Sequence, residues 1–519
     1  MNRNTFLAFL ILVVCAIGAY LLIYYRYDFH TPVQGKSIPI SVYIPKDFPQ
    51  YATYKDFFAK QPGYSLTTNK NADIIISTTK LTGYSTQTSL YQAIYLLTQD
   101  FKDMGPNVTT ADYQSLMSTG QNIVVDSTLS SVFPTLTSSS NTLSYVQSSS
   151  THYAIIPFSD ASNLYQTVTI NGVSPLNKTN NLNTYPLQTQ YFLDTNLTLT
   201  TTIKNFITTN HYTNYDPSKL HTIIMSGTTA LGRGEYFKIQ QYGTAYPTLY
   251  VSSIMKDADI TQVSDEVSYV PGCTQQIGTL KFCALPSFLQ TLQDAGVNLV
   301  ELTGNHNNDY GAQYSASSIA MYNAAGIKHF GGGLNATDAR KPAIFDLGGT
   351  TFAFLGYNEP GPSYAFATPT SSGAAQLNVT DMVSDIKAAK KIADIIFVDV
   401  QWENENNQFP SQSQITDSQI AIDAGASVVT GSSGHRPEGM SFYHGGTIFY
   451  GLGNLFFDQM ENLDTRQNVI VKHTFYGSTL VSTQLIPTLL YDYAQPRPVT
   501  GSDAQAIFDE IWQASTNVL

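Results

Sequence analysis

"LTGNHNNDYG", residues 302–311, is the stretch on which the reading of this chain turns. It sets Asn305, His306 and Asp309 within five residues, between Gly304 and Gly311. The segment leading into it, "AGVNLVEL" (295–302), has the apolar content of a buried strand. A strand that ends on a glycine and then presents an amide, an imidazole and a carboxylate has two explanations. One is a metal site; the other is a polar turn whose side chains satisfy backbone groups.

Working outward, "HTIIMSG", "TTFAFLGY", "ADIIFVDV", "ASVVTGS" and "GTIFYGLGN" are further strand candidates between residues 221 and 454. "QYSASSIAMYNAAGI", "MVSDIKAAKKIA" and "SQSQITDSQIAIDAGA" have helical spacing, the last closed by Gly425. Such alternation predicts an α/β sheet whose chemistry lies in the loops past the strand ends. The polar residues there are Thr228, Thr229 and Arg233, then Ser264, Asp265 and Glu266. Gln401, Glu403 and Glu405, Ser433, His435 and Glu438, and finally Asn454 and Asp458 complete the set.

The first half is less regular. "SIPISVYIP", "NADIIISTTK" and "HYAIIPFSD" read as strands and "SLYQAIYLLTQDF" as a helix. "TSSSNTLSYVQSSST" is expected to be flexible. A Thr/Asn-rich region with weak periodicity places a linker at 206–220. At the N-terminus, Phe6 to Tyr25 is a run of twenty residues without a charge, ending in an aromatic "YYRY" belt. About 20 apolar residues span a bilayer core. Residues 1–30 are therefore expected to be a single-pass membrane anchor with the bulk of the chain extracytoplasmic. Charged residues make up only 12% of the 519, and the net charge is −12. That excludes a general nucleic-acid binder, which needs Lys and Arg to displace counterions, but not a polyanion held at a local basic site. Cys15 falls in the apolar run. Cys273 and Cys283 are expected to form a disulfide in an oxidising compartment, the alternative being two free thiols.

Two resemblances follow from longer matches. Residues 37–205 resemble the type 2 periplasmic-binding-protein fold through "ADIIIST", "YAIIPFSD" and "TINGVSPL…YPLQTQYF". This implies a two-lobed α/β domain, the alternative being a spacer without ligand. Residues 221–519 resemble the CapA family, associated with bacterial capsule and poly-γ-glutamate synthesis. "ELTGNHNNDYG" is similar to its "sLANNHalDyG", and "GGTIFYGLGNLFFDQ" to its "g..i.YslGNfvFdq". "GIKHFGGGLNATDARKPAIFDLGGTTFAFLGY" is similar to the block between them. The resemblance implies a calcineurin-like metallophosphatase fold, an α/β/β/α sandwich, with Glu266, Asn305, His306 and His435 as metal ligands. His306 and Asp309 become the candidates for acid–base catalysis, and Arg233, Arg340 and Asn454 for ligand binding.

The departures bear on function. Thr228 stands where the family has Asp, Ser264 where it has Asn, and Gln401 and Ser433 where it has His. A two-metal hydrolase needs a bridging carboxylate and several imidazoles. The expectation is at most one weakly bound divalent metal. The implied function is assistance in capsule or poly-γ-glutamate-type polymer synthesis or export. Its implied partners are the membrane, an anionic polymer and its synthase. The alternatives are a non-catalytic surface binding protein and an active extracytoplasmic metallophosphoesterase.

Overall fold

The structure, a computed structural model, describes residues 12–21, 38–103, 107–276, 278–403 and 406–518. Residues 12–21 are helical. The rest of the expected anchor lies outside the described residues, and no described helix is long and apolar enough to cross a membrane. The chain divides into two compact units, residues 1–93 with 188–213, and residues 94–187 with 214–519.

In the first unit, Ile40–Tyr43 runs parallel to Tyr64–Thr67 on one side and to Ile74–Ser77 on the other. Gln188–Thr195 adds antiparallel to Ile74–Ser77. Helices Tyr51–Ala59 and Thr201–Asn210 bury Tyr54, Phe58, Ile203 and Ile207 against Val42, Ile74, Ile76 and Leu193. The second helix is capped by the Thr200 side chain and occupies ground where a linker is expected from composition. "SLYQAIYLLTQDF", expected as a helix, lies instead in the long strand Thr86–Asp100. Its last residues are buried one after another, as in a central strand covered on both faces, where period-two alternation disappears. The Ser/Thr-rich stretch expected to be flexible forms the strand Thr137–Ser139 and the helix Thr142–Gln147.

The second unit contains two stacked sheets. In one, Lys328–Phe330, Leu299–Glu301, Ile260–Asp265 and Leu220–Met225 lie parallel in that order, and Gln467–Tyr476, Thr479–Tyr491 and Gln495–Pro498 follow antiparallel. In the other, Thr350–Asn358, Ile395–Gln401, Val428–Ser432 and Gly446–Phe449 lie parallel, flanked by the antiparallel edge strands Ala343–Leu347 and Met440–Tyr443. Period two sorts the side chains into layers. Ile223, Leu299, Phe354 and Phe397 share the core between the sheets. Ile224, Val263 and Val300 face the core that includes Leu292 and Ile319 of helices Leu289–Ala295 and Ala312–Ala324. Leu355, Val398 and Val429 face Met382, Ile386 and Ala421 of helices Val379–Ala389 and Gln412–Ala424. The result is an α/β/β/α layering. The strand Ile260–Asp265, the hairpin 467–491 and the helix Gly501–Ser515 were not among the sequence expectations.

Candidate functional site

Along the inner faces, apolar residues give way to polar ones as each strand nears its C-terminal end. Phe397 is followed on the same face by Asp399 and Gln401, Leu299 by Glu301, and Val428 by Thr430 and Ser432. Gln262 Nε2 donates to Asp399 Oδ2 at 3.1 Å, tying one sheet to the other. Asn358 Nδ2 donates to the Thr303 carbonyl at 2.5 Å and to Gln401 Oε1 at 2.9 Å. Glu301 and Asp399 are fully buried. Burial pushes the Glu301 carboxyl up to about 7, reinforced by the nearby charge of Asp265. Burial and then Glu301 push Asp399 well above the usual carboxylate range.

The loop that opened the sequence reading lies above this polar layer. Gly304 lets it pass directly over Glu266, since a Cβ there would stand 2.3 Å from Glu266 Cα. His306 Nδ1 pairs with Asp309 Oδ2 at 2.8 Å. The same carboxylate oxygen accepts from Phe282 N at 2.8 Å, and the other accepts from Tyr364 OH at 3.2 Å. Asn308 Nδ2 donates to the carbonyls of Tyr364 and Ser372. Gly311, at φ +108°, makes the turn into the helix Ala312–Ala324. Asp309 is thus spent on the imidazole, on the Phe282 amide and on the Tyr364 hydroxyl.

The positions that differ from the family pattern are engaged with one another or with retained ones. Ser433 N donates to Thr228 Oγ1 at 3.3 Å, and Gln401 Nε2 donates to Asn305 Oδ1 at 3.0 Å. His435 Nδ1 pairs with Asn454 Oδ1 at 2.8 Å, and burial drops its pKa to about 4, with His306 and Arg233 adding to the fall. Arg233 lies with its guanidinium carbon 4.7 Å from the Phe282 ring centre and 5.1 Å from that of Phe457. Phe282 in turn packs on His306 at 4.0 Å and Phe457 on His435 at 4.8 Å. Arg233 also pairs with Asp458, whose other oxygen accepts from Gly234 N at 2.7 Å. Arg233, Ser433 and His435 all hold left-handed backbone, a strained conformation that collects at functional clefts.

Glu266, Asn305, His306, His435, Arg233 and Asn454 therefore meet at one strand-end cleft. Arg340 does not join them. Its guanidinium is held by Asp381 and Asp385 of the outer helix Val379–Ala389, and Tyr357 OH also donates to Asp385. Phe282 and Phe457 were missed in the sequence because an aromatic is ordinarily read as core. Asp399 and Glu301 carried a visible signal: a carboxylate at an inward position of an apolar strand.

The family model for "Bacterial capsule synthesis protein PGA_cap" matches residues 222–459. This segment is a CapA-family domain. The chain is 26% identical over 293 residues to "Capsule biosynthesis protein CapA" of Bacillus anthracis, covering 54% of this chain and 70% of that one. It is 26% identical over 276 residues to "PGA biosynthesis protein CapA" of Bacillus subtilis (strain 168), covering 53% and 72%. Among solved structures, Haemophilus influenzae NAD nucleotidase (NadN) aligns at 10% identity and a TM-score of 0.34 over 57% of this chain and 62% of that one.

The CapA-family resemblance implies a two-metal centre among these donors. Among the described residues no group of three or more His, Cys, Asp or Glu is arranged to hold a metal ion. Asn305 Oδ1 is already bonded to Gln401, and Thr228 and Ser433 supply neutral hydroxyls. The Cys273–Cys283 disulfide is formed, and Phe282 comes from the segment it closes.

Proposed function

We propose that this chain is a membrane-anchored, extracytoplasmic CapA-like protein that assists synthesis or export of a capsule or poly-γ-glutamate-type polymer. Its calcineurin-like domain keeps the cleft of a metallophosphatase and has a degenerate metal site. The observation that carries this reading is the family match over 222–459, combined with the hydrogen bonds that engage Thr228, Gln401 and Ser433. The names of the two Bacillus relatives support the polymer class. The uncharged run from Phe6 to Tyr25 supports the anchor. The parallel strands of the first unit support a binding-protein-like domain over residues 37–205. The partners are the membrane, an anionic polymer and its synthase, with no nucleic acid. The cofactor is at most one weakly bound divalent metal at Glu266, Asn305, His306 and His435.

Elemental analysis of the purified full chain tests the site, with less than one equivalent of divalent metal expected after dialysis. Two tightly held ions per chain would replace this reading with that of an active phosphoesterase. In the source cell, deletion should lower surface polymer, and His306→Ala should restore it. A folded His306→Ala chain that fails to restore polymer would favour catalysis through the His306–Asp309 pair, a geometry suited to general acid–base work.

A further inference from the structure

Most arginines of the second unit are answered by acids. Arg233 pairs with Asp458, Arg340 with Asp381 and Asp385, and Arg436 with Asp464 and Glu510. Arg466 and Arg497 are paired with no carboxylate among the described residues. Both lie past the segment that matches the family model, which ends at residue 459. They meet at one tyrosine. The Arg497 guanidinium carbon lies 4.7 Å from the Tyr491 ring centre, and that of Arg466 lies 5.5 Å from it. Strand register explains the first contact. Tyr491 pairs with Gln495 and Leu489 with Arg497, so Tyr491 and Arg497 are diagonal neighbours on one face of the sheet. Arg497 also lies 4.4 Å from the Tyr250 ring centre.

Local hydrogen bonds orient these guanidiniums without neutralising them. Arg466 Nε donates to the Leu490 carbonyl at 3.1 Å, and Arg497 Nη2 donates to Gln495 Oε1 at 2.7 Å. The acids close by are held elsewhere. Asp492, within electrostatic reach of Arg497, pairs with Lys238 and accepts from Tyr246 OH at 2.6 Å. Asp464 pairs with Arg436 at 3.1 Å. Both arginines and Tyr491 are half-buried, and Tyr250 is 46% exposed. A guanidinium fork fits a carboxylate or a phosphate. With a net charge of −12, the chain repels a polyanion except where its cations are unpaired. A small anion would meet the guanidiniums and leave the rings bare. A polymer carrying carboxylates on an amide and methylene backbone answers both, with carboxylates on the guanidiniums and backbone on the tyrosine faces.

We propose that Arg466 and Arg497, with Tyr250 and Tyr491, form a docking surface for a polycarboxylate chain of the poly-γ-glutamate class. It rests on the polymer-synthesis reading and adds the surface that holds the polymer. The full chain would be titrated by calorimetry with poly-γ-glutamate, and separately with polyphosphate and with phosphatidylglycerol vesicles. Poly-γ-glutamate should bind saturably with a Kd of about 0.1 mM or tighter, weakening as salt rises. Arg466→Gln and Arg497→Gln should each weaken it about 10-fold, and Tyr250→Ala about 3-fold, with unchanged circular dichroism. Lys341→Gln removes an exposed cation elsewhere and should leave the affinity unchanged. In the unaltered chain, bound polymer should protect Arg466 and Arg497 from phenylglyoxal, read by mass spectrometry, so the test does not depend on a variant that folds. No saturable binding, full affinity in the arginine variants or in Tyr250→Ala, an equal loss in Lys341→Gln, or unprotected arginines would overturn the proposal. Tighter binding of polyphosphate or of the vesicles through the same arginines would overturn it in favour of a phosphate or membrane surface. Should the polymer fail to bind while deletion still lowers surface polymer, this surface is wrong and the polymer-synthesis reading stands. Deletion that leaves surface polymer unchanged would instead remove that reading.

Discussion

Phe397 and Asp399 stand two residues apart on one strand and one face, and their surroundings have little in common. Phe397 is fully buried and stacks on Phe354 with ring centres 4.8 Å apart. Asp399 is equally enclosed, among Gln262, Glu301 and Thr430, and one of its carboxylate oxygens has no partner among the described residues. The lower part of the space between the sheets is held by burial of aromatic area. The upper part is held by hydrogen bonds among amides, hydroxyls and carboxyls in a low-dielectric setting. Dense packing makes the first tolerant of hydrophobic exchange and intolerant of voids. The second loses most when one partner of a pair is removed and the other stays buried.

The largest expected effect lies in the lower part. Phe397→Ala should cost about 3–5 kcal/mol in a denaturant titration. A loss under about 1 kcal/mol would mean that the aromatic layer does not anchor the two sheets.

In the upper part, Gln401→Ala removes the donor to Asn305 and the acceptor for Asn358. It should cost about 1–3 kcal/mol, and Gln401→Glu should fail to restore it, because a carboxylate cannot donate to Asn305 Oδ1. Full stability in Gln401→Glu would show that Asn305 is held by something else.

The smallest effect should be a slope with pH. Asp399 and Glu301 titrate near 4 when unfolded and higher when folded. The folded state thus retains protons that the unfolded chain releases. The stability they contribute is full below about pH 4 and is lost as pH rises through the Glu301 value of about 7. Asp399→Asn should flatten the fall in Tm between about pH 5 and pH 8 relative to the unaltered chain. Identical slopes would place the two carboxyls outside the pH response.

Several strands and helices of residues 221–454 were legible, the strand Ile260–Asp265 excepted, because their alternation and caps agree with their places in the layers. The helix Gln412–Ala424, for instance, has its Ser411 capping box and its Gly425 stop written in order. The strand Thr86–Asp100 was not legible, because continuous burial on both faces erases the period that separates strand from helix. In the cleft, the retained Glu266, Asn305, His306 and His435 were visible as motif positions. The stacking of Phe282 and Phe457 on the two imidazoles was not, since it depends on segments far apart in sequence.

Arg233, set between Phe282 and Phe457 and paired with Asp458, gives the cleft a guanidinium that belongs to the chain itself. A dissolved cation must be recruited from the medium and surrendered to any stronger chelator. A guanidinium on a backbone is supplied with every copy and cannot be exchanged or stripped. Part of the charge beside His306 and His435 is therefore fixed when the protein is made.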